Sequence, residues 1–299
     1  MKMKKDNEQL LIIDGTFLAY RSYYATSYNA TQILTTSEGF ETNAIVAFFK
    51  TLFLLLKKLN PKYIYIAFDS HVKTFRHELF PSYKDGRKKA PESFYLQLDL
   101  IQEILTNINI QNQYYNGFEA DDIIAKVKNK FNLNTIIFSG DQDLNQLIDE
   151  QTAIIKKDKT GSFFFLNSKN FSEYYDFLPN QVIDYKALVG DNSDNFKGVV
   201  GIGPKSAKTL LEDYKTIENI YNNIEKIKPS IAKKLMEYRE NTFLDKYLAT
   251  LRIDFDLQLP ELENLAISNI AISNSAKQII GKFELYSLEN SLKNLINKK

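Results

Sequence analysis

The stretch "QLLIIDG", residues 9–15, is a short apolar, β-branched run that stops on an aspartate, Asp14. Two later stretches have the same form: "KYIYIAFDS" (62–70) delivers Asp69, and "NTIIFSGDQD" (134–143) delivers Asp141 and Asp143. Helical patterns lie between them. One covers 43–59 and is stopped by Asn60-Pro61; a second covers 93–107, with Phe94, Leu98, Ile101 and Leu105 on one face; a third covers 121–131. A weaker strand is expected in "INIQNQYY" (108–115). Strands alternating with helices predict an α/β fold, a mostly parallel twisted sheet flanked by helices on both faces. Ligands of such sheets bind outside the carboxyl ends of the strands, where these aspartates fall.

More acids reach the same edge. "GFEADDIIAKV" (117–127) opens a helix with Glu119, Asp121 and Asp122. Acids in a first helical turn also cap free N–H groups and complement the helix dipole, so that reading stands beside a functional one. Helical spacing puts Glu119 and Asp122 on one side and swings Asp121 away, unless Glu119 precedes the helix. "LVGDNSDNF" (188–196) adds Asp191 and Asp194 at i, i+3 spacing. Nine carboxylates held together would repel and desolvate one another unless cations sat among them. Hard, oxygen-liganded ions fit this donor set, magnesium or manganese before calcium. Two such ions about 4 Å apart would clamp the attacking and leaving oxygens of an in-line phosphoryl displacement.

Composition narrows the chemistry. The chain has 299 residues, 44% hydrophobic and 25% charged, enough for one large or two modest domains. It has no cysteine, which excludes disulfides, thiolate metal sites and a cysteine nucleophile, and His71 and His77 are its only histidines. Zinc chemistry is therefore not expected. The start "MKMKKDNEQLLIIDG" reads as neither signal peptide nor membrane span, and a cytoplasmic protein with no membrane partner is expected.

The net charge of +1 conceals a segregated distribution. "FRHELFPSYKDGRKKAPE" (75–92) holds Arg76, Lys84, Arg87, Lys88 and Lys89 with Phe80 and Tyr83. "GVVGIGPKSAKTLL" (198–211) is a Gly-rich turn entering a helix near Pro204. Gly201 and Gly203 let backbone N–H groups approach a phosphate, and Lys205 and Lys208 add charge. With "KPSIAKKLMEYR" (228–239), these segments place cationic flanks about an acidic centre, and binding that weakens with salt is expected.

"DGTFLAYRSYYA", "TTSEGFETNAIVAFFK", "AFDSHVKTFRHELFPSYKDGR", "GFEADDIIAKV", "SGDQDLNQLI", "YKALVGDNSDNFKGVVGIGPKSAKTLL" and "LATLRIDFDL" resemble, in order and spacing, the motifs of the 5′ nuclease family. The similarity is to the amino-terminal 5′→3′ exonuclease domain of bacterial DNA polymerase I, over roughly residues 9–290, with phage 5′ nucleases and flap endonucleases as more distant relatives. The resemblance implies a PIN-like catalytic core over 1–178, with a helical arch at about 75–107. It implies a helical DNA-binding subdomain over 179–299, with a helix–three-turn–helix at about 181–214. The implied activity is 5′→3′ exonuclease and flap endonuclease cleavage of DNA with 5′ ends or flaps, RNA-primed ends included, in primer removal and repair. A stand-alone monomer without a polymerase portion is expected.

By the same resemblance the nine acids hold two Mg2+ ions, for which Mn2+ substitutes. Asp14, Asp69, Glu119, Asp121, Asp122 and Asp141 go toward the first; Asp143, Asp191 and Asp194, with Asp141 shared or nearby, go toward the second. Lys84 and Arg87 match arch residues that neutralise the scissile phosphate, and Tyr83 is counted with them as catalytic, its ring stacking on a base. Arg76 is expected as a DNA contact, Arg21 and Lys186 match positions that touch phosphate, and the helix–three-turn–helix of the family often holds K+ through carbonyl oxygens.

Three other readings compete. "LIIDGT" resembles the start of haloacid dehalogenase-like phosphatases, but Ile12 stands where their nucleophilic Asp would be. PIN-type ribonucleases share the acidic sheet edge but are usually shorter and lack the arch and turn module. A non-catalytic binder of branched DNA would normally have lost some acids, and all nine are present.

Overall fold

The computed structural model describes residues 8–28, 32–157 and 162–297. In chain order these form β1 (Gln9–Asp14), α1 (Gly15–Ser27), α2 (Asn43–Leu59), β2 (Tyr63–Ala67), α3 (Phe75–Leu79), α4 (Glu92–Asn107), β3 (Asn112–Gln113), α5 (Ala120–Phe131) and β4 (Asn134–Phe138). There follow β5 (Thr152–Lys157), β6 (Phe163–Leu166), α6 (Val182–Val189), α7 (Pro204–Tyr214), α8 (Ile217–Asn222), α9 (Pro229–Glu237), α10 (Arg239–Ala249), α11 (Asn274–Lys282) and α12 (Tyr286–Ile296). The chain divides into two compact units. Met1–Ser70, Lys89–Ser139 and Phe255–Lys299 form one, and His71–Lys88 with Gly140–Asp254 form the other.

The first unit is built on a parallel sheet. β1 lies between β2 and β4, and β3 extends the sheet beyond β2. Leu10, Leu11, Ile12 and Ile13 are wholly buried, as a strand covered on both faces requires. Each contributes roughly 1.5–3 kcal/mol through burial. Because β2 and β4 flank β1 on opposite sides, the strand order reverses there, the point at which sheets of this kind bind ligands outside the carboxyl ends of their strands. The expected helix stops hold: α2 ends on Asn60 in the left-handed region, followed by Pro61, and α5 ends likewise on Asn132.

Two features of this unit bear on the expected division of the chain. Residues 92–107, read as half of an arch, form α4, whose Phe94, Leu98, Ile101 and Leu105 are buried. Its Gln97 Oε1 accepts a hydrogen bond from the Ala44 N–H at 2.8 Å, serving the start of α2, where Thr42 makes no side-chain cap. That half of the segment is core. The second concerns the C-terminal helices, expected within a DNA-binding subdomain running to 299. They return to the sheet unit: the Phe283 ring packs on Phe40 at 4.9 Å, and Glu284 accepts from the Ser37 N–H at 3.0 Å.

The second unit joins an antiparallel pair, β5 and β6, to a group of helices. Leu188, Val199, Ile202, Leu211, Ile217, Ile220 and Leu235 form its apolar centre. α7 begins with Pro204 as its first residue, where the missing N–H costs nothing.

Here the basic segment departs from expectation. Arg76 on α3 is 2% exposed, its Nε donating to the Leu248 carbonyl at 2.8 Å and its Nη2 to the Thr250 carbonyl at 3.4 Å. Those carbonyls lie at the end of α10 and need donors from outside the helix, so Arg76 is a C-terminal cap rather than an exposed DNA contact. Tyr83 is also buried, its ring stacked on Phe196 at 5.8 Å and packed with Leu248 and Ala249. It presents no open face to a base. Among the described residues, no helix is long and apolar enough to cross a membrane.

Candidate metal centre

In the first unit the acids sit at the carboxyl edge of the sheet and are fixed by backbone donors. Asp14 ends β1 and caps α1: its Oδ1 accepts from the Phe17 N–H at 2.9 Å, and its Oδ2 from the Ser139 hydroxyl, just beyond β4, at 2.8 Å. Asp69 follows β2; its N–H donates to Thr16 Oγ1 at 2.8 Å, and its Oδ1 accepts from the Ala120 N–H at 2.8 Å, at the first residue of α5. Glu119 precedes that helix as its N-cap, with extended backbone. Asp122 is wholly buried, and its Oδ2 accepts from the Glu119 N–H at 3.1 Å. Glu119 thus lies outside the helix, and its pairing with Asp122 serves the helix start.

The second unit gathers its acids more tightly. Asp143, Asp191 and Asp194 each bring a carboxylate oxygen within 4.8 Å of the others, the one such group among the described residues. Asp143 opens a 3-10 turn after "SGDQ", and its N–H donates to Asp141 Oδ1 at 2.8 Å. Asp191 and Asp194 come from the loop between Gly190 and Gly198. There the Asp191 and Phe196 backbones bond reciprocally at 2.9 Å, closing a narrow turn. Both glycines have positive φ, and a Cβ on Gly198 would overlap the Gly190 amide, so the turn closes only because neither carries a side chain.

Lys186, on α6, occupies the centre of this triad. Its ammonium bonds Asp143 Oδ1 and lies 2.6 Å from Asp191 Oδ2 and 3.2 Å from Asp194 Oδ2. Burial pushes the Asp143 carboxyl up to about 7, against the pull of the Lys186 charge, with Asp141 and Asp194 adding to the rise. Burial favours neutral Lys186, but Asp143 and Asp194 outweigh it and hold the ammonium protonated above its usual range. For Asp191, burial is outweighed by Lys186 and by the Ser193 donors, which keep its carboxyl below the ordinary value. Lys186, expected at a phosphate, is instead buried among acids.

The cations of the 84–87 turn stand close by in the same unit. Arg87 Nη2 meets Asp194 Oδ1 at 3.0 Å, and its Nε donates to the Ser193 carbonyl at 3.1 Å. The Lys84 N–H donates to the Asp194 carbonyl at 3.3 Å, and its ammonium lies 4.9 Å from the Tyr83 ring centre. Of the Gly-rich turn, Gly201 has φ +81 and its carbonyl accepts from Lys234 Nζ at 3.0 Å. Gly203 precedes α7 as its N-cap. Lys205 is exposed, and Lys208 pairs with Asp176 at 2.8 Å. Arg21 lies on α1, partly buried.

Sequence reading missed Asp245 on α10. It is 5% exposed, its Oδ2 accepts from the Gly198 N–H at 3.3 Å, and burial raises its carboxyl to about 6. An isolated acid inside a helical pattern gives no sign of this.

The family described as 5′-3′ exonuclease, N-terminal resolvase-like domain, matches residues 9–176, and that described as 5′-3′ exonuclease, C-terminal SAM fold, matches residues 177–272. A 5′-3′ exonuclease of Mycoplasmopsis pulmonis is 36% identical over 98% of this chain and 95% of its own length. DNA polymerase I of Caldicellulosiruptor bescii is 40% identical over 86% of this chain, which spans 30% of the polymerase. Among solved structures, the T5 D15 protein co-crystallized with metal ions is similar at TM-score 0.65, with 19% identity over 97% of this chain and 99% of that one. Flap endonuclease-1 from Methanococcus jannaschii is similar at TM-score 0.61, with 17% identity over 98% and 94%. The fold is thus that of a nuclease family. The chain belongs to the 5′-3′ exonuclease family.

Proposed function

We propose that this chain is a divalent-metal-dependent 5′→3′ exonuclease and flap endonuclease that hydrolyses phosphodiester bonds of DNA. The observation that carries the reading is the convergence of Asp143, Asp191 and Asp194 on one point already filled by a buried positive charge. The donor set fits a hard cation, because the triad offers carboxylate oxygen alone and the Lys186 ammonium stands where a cation belongs. Asp143, Asp191 and Asp194 would hold one Mg2+, or Mn2+ in its place. Asp14, Asp69, Glu119, Asp121, Asp122 and Asp141 are assigned to the other.

When bound, such ions supply a hydroxide at neutral pH and neutralise charge developing on the phosphate. The remaining work falls to the chain's own residues. Arg87, half exposed and anchored on Asp194, keeps a fixed guanidinium beside the triad, and Lys84 is held by its turn with φ +57. Cations fixed in advance stabilise a transition-state oxyanion without reorganising. Arg21, Lys205 and Lys208 are assigned to backbone phosphates, together with the N-terminal amides of α7 beyond Gly201 and Gly203. K+ at backbone carbonyls of the 198–203 turn would add to that grip.

DNA as substrate is supported by the T5 D15 flap endonuclease, described in complex with DNA and metal ions, and by the Rad2 catalytic core in complex with a DNA substrate. Primer removal in replication and flap removal in repair are the processes that such an activity serves. The test compares blunt, nicked, gapped and 5′-flapped duplexes, each with Mg2+ and with a chelator. Cleavage confined to substrates with an accessible 5′ end, and lost with the chelator, is expected. Cleavage that persists in the chelator contradicts the reading.

A further inference from the structure

A lysine seated in an acidic triad is a poor phosphate contact as it stands, because its side chain is 11% exposed and its donors face Asp143, Asp191 and Asp194. The geometry gives it a different task. The triad's oxygens lie within 4.8 Å of one another, and a Mg2+ or Mn2+ ion bound to them at about 2.1 Å would need the volume that the ammonium fills. Two cations cannot share that volume, and burial leaves their repulsion poorly screened.

We propose that Lys186 is a tethered counter-ion, which occupies the triad until a divalent ion displaces it. This rests on the metal reading above and adds a mode of control to the same site. Without metal, the ammonium neutralises carboxylates that would otherwise repel, so the loop between Gly190 and Gly198 stays closed and the triad stays assembled. When an ion enters, the ammonium leaves on its four-carbon stem, past Asp191, the most exposed member of the triad with its side chain 21% exposed. Arg87 remains on Asp194 Oδ1 and the Ser193 carbonyl, so the loop keeps one anchor during the exchange. The freed ammonium is then available to an anionic substrate, and only when the ion is in place. The site thereby couples metal occupancy to the presentation of a cation.

The exchange is read on the full chain by amine acetylation mapped at Lys186 by mass spectrometry, with exposed Lys205 as control and Mn2+ binding followed separately by electron paramagnetic resonance. We expect Lys186 to be protected in chelator and to be acetylated several-fold faster in saturating Mn2+, with Lys205 unchanged. Removing the competitor in Lys186→Met should tighten Mn2+ binding by about tenfold or more, as expected when a competing state is abolished. Mn2+ binding with Lys186 still protected overturns the proposal while leaving the metal reading intact. Weaker Mn2+ binding by Lys186→Met also overturns it, since the lysine would then be supporting the ion. No Mn2+ binding by the wild type overturns both.

Discussion

Asp245 and Arg76 are two charges that the structure buries, the first unmarked in the sequence and the second read there as a DNA contact. Asp245 faces the Gly198 amide, with its carboxyl raised to about 6 from the usual 3.8. A carboxyl raised in the folded state binds its proton more tightly there than in the unfolded chain. The stability it contributes is therefore full below pH 4 and lost as pH rises through about 6. Asp245→Asn, which keeps an acceptor for Gly198, should raise Tm at pH 7.5 and give no gain at pH 4; an equal Tm change at both pH values would refute the charge argument. Arg76 caps the end of α10. Arg76→Ala should cost roughly 2–4 kcal/mol of stability through its buried cavity and orphaned carbonyls. Denaturant unfolding measures that loss, and DNA affinity of the folded variant should be unchanged. Neither role was legible, because the partners of Arg76 lie 172 and 174 residues away and no local pattern signals them.

Elements with strong local punctuation were legible to the residue. α2 ends at Leu59, before the Asn60-Pro61 stop, and α7 starts on Pro204. The strand in "INIQNQYY" shrank to Asn112 and Gln113, since Ile108 and Ile110 are spent covering the core beyond α4. The 190–198 loop is the element on which the triad depends. Its sequence announced two acids but not the facing glycines that set their spacing. Gly198→Ala forces a Cβ into the Gly190 amide at a positive φ, and a strained position of this kind costs roughly 1–3 kcal/mol. Lower Tm together with weaker Mn2+ binding is the expected outcome. A variant with unchanged metal affinity would show that the turn does not position Asp191 and Asp194.

For the whole molecule, the acidic edge and the parallel sheet could be read from aspartates repeated at strand ends, and the motifs in order gave the family. The division into units could not be read. Residues from Phe255 onward rejoin the sheet unit through contacts such as Phe40 with Phe283, which no contiguous domain boundary anticipates. Nor could sequence spacing bring Asp143, Asp191 and Asp194 to one point, because their approach depends on α6 and the closed turn between them. We propose that these three acids hold the ion on which cleavage depends. The deciding measurement is single-turnover cleavage of a 5′-labelled flap in Mg2+, by wild type and by Asp143→Asn, with flap binding measured in chelator for both. We expect a loss of roughly 100-fold or more in rate, the scale of losing a key electrostatic contact in the transition state, with flap affinity retained. An Asp143→Asn enzyme that cleaves at the wild-type rate would contradict it.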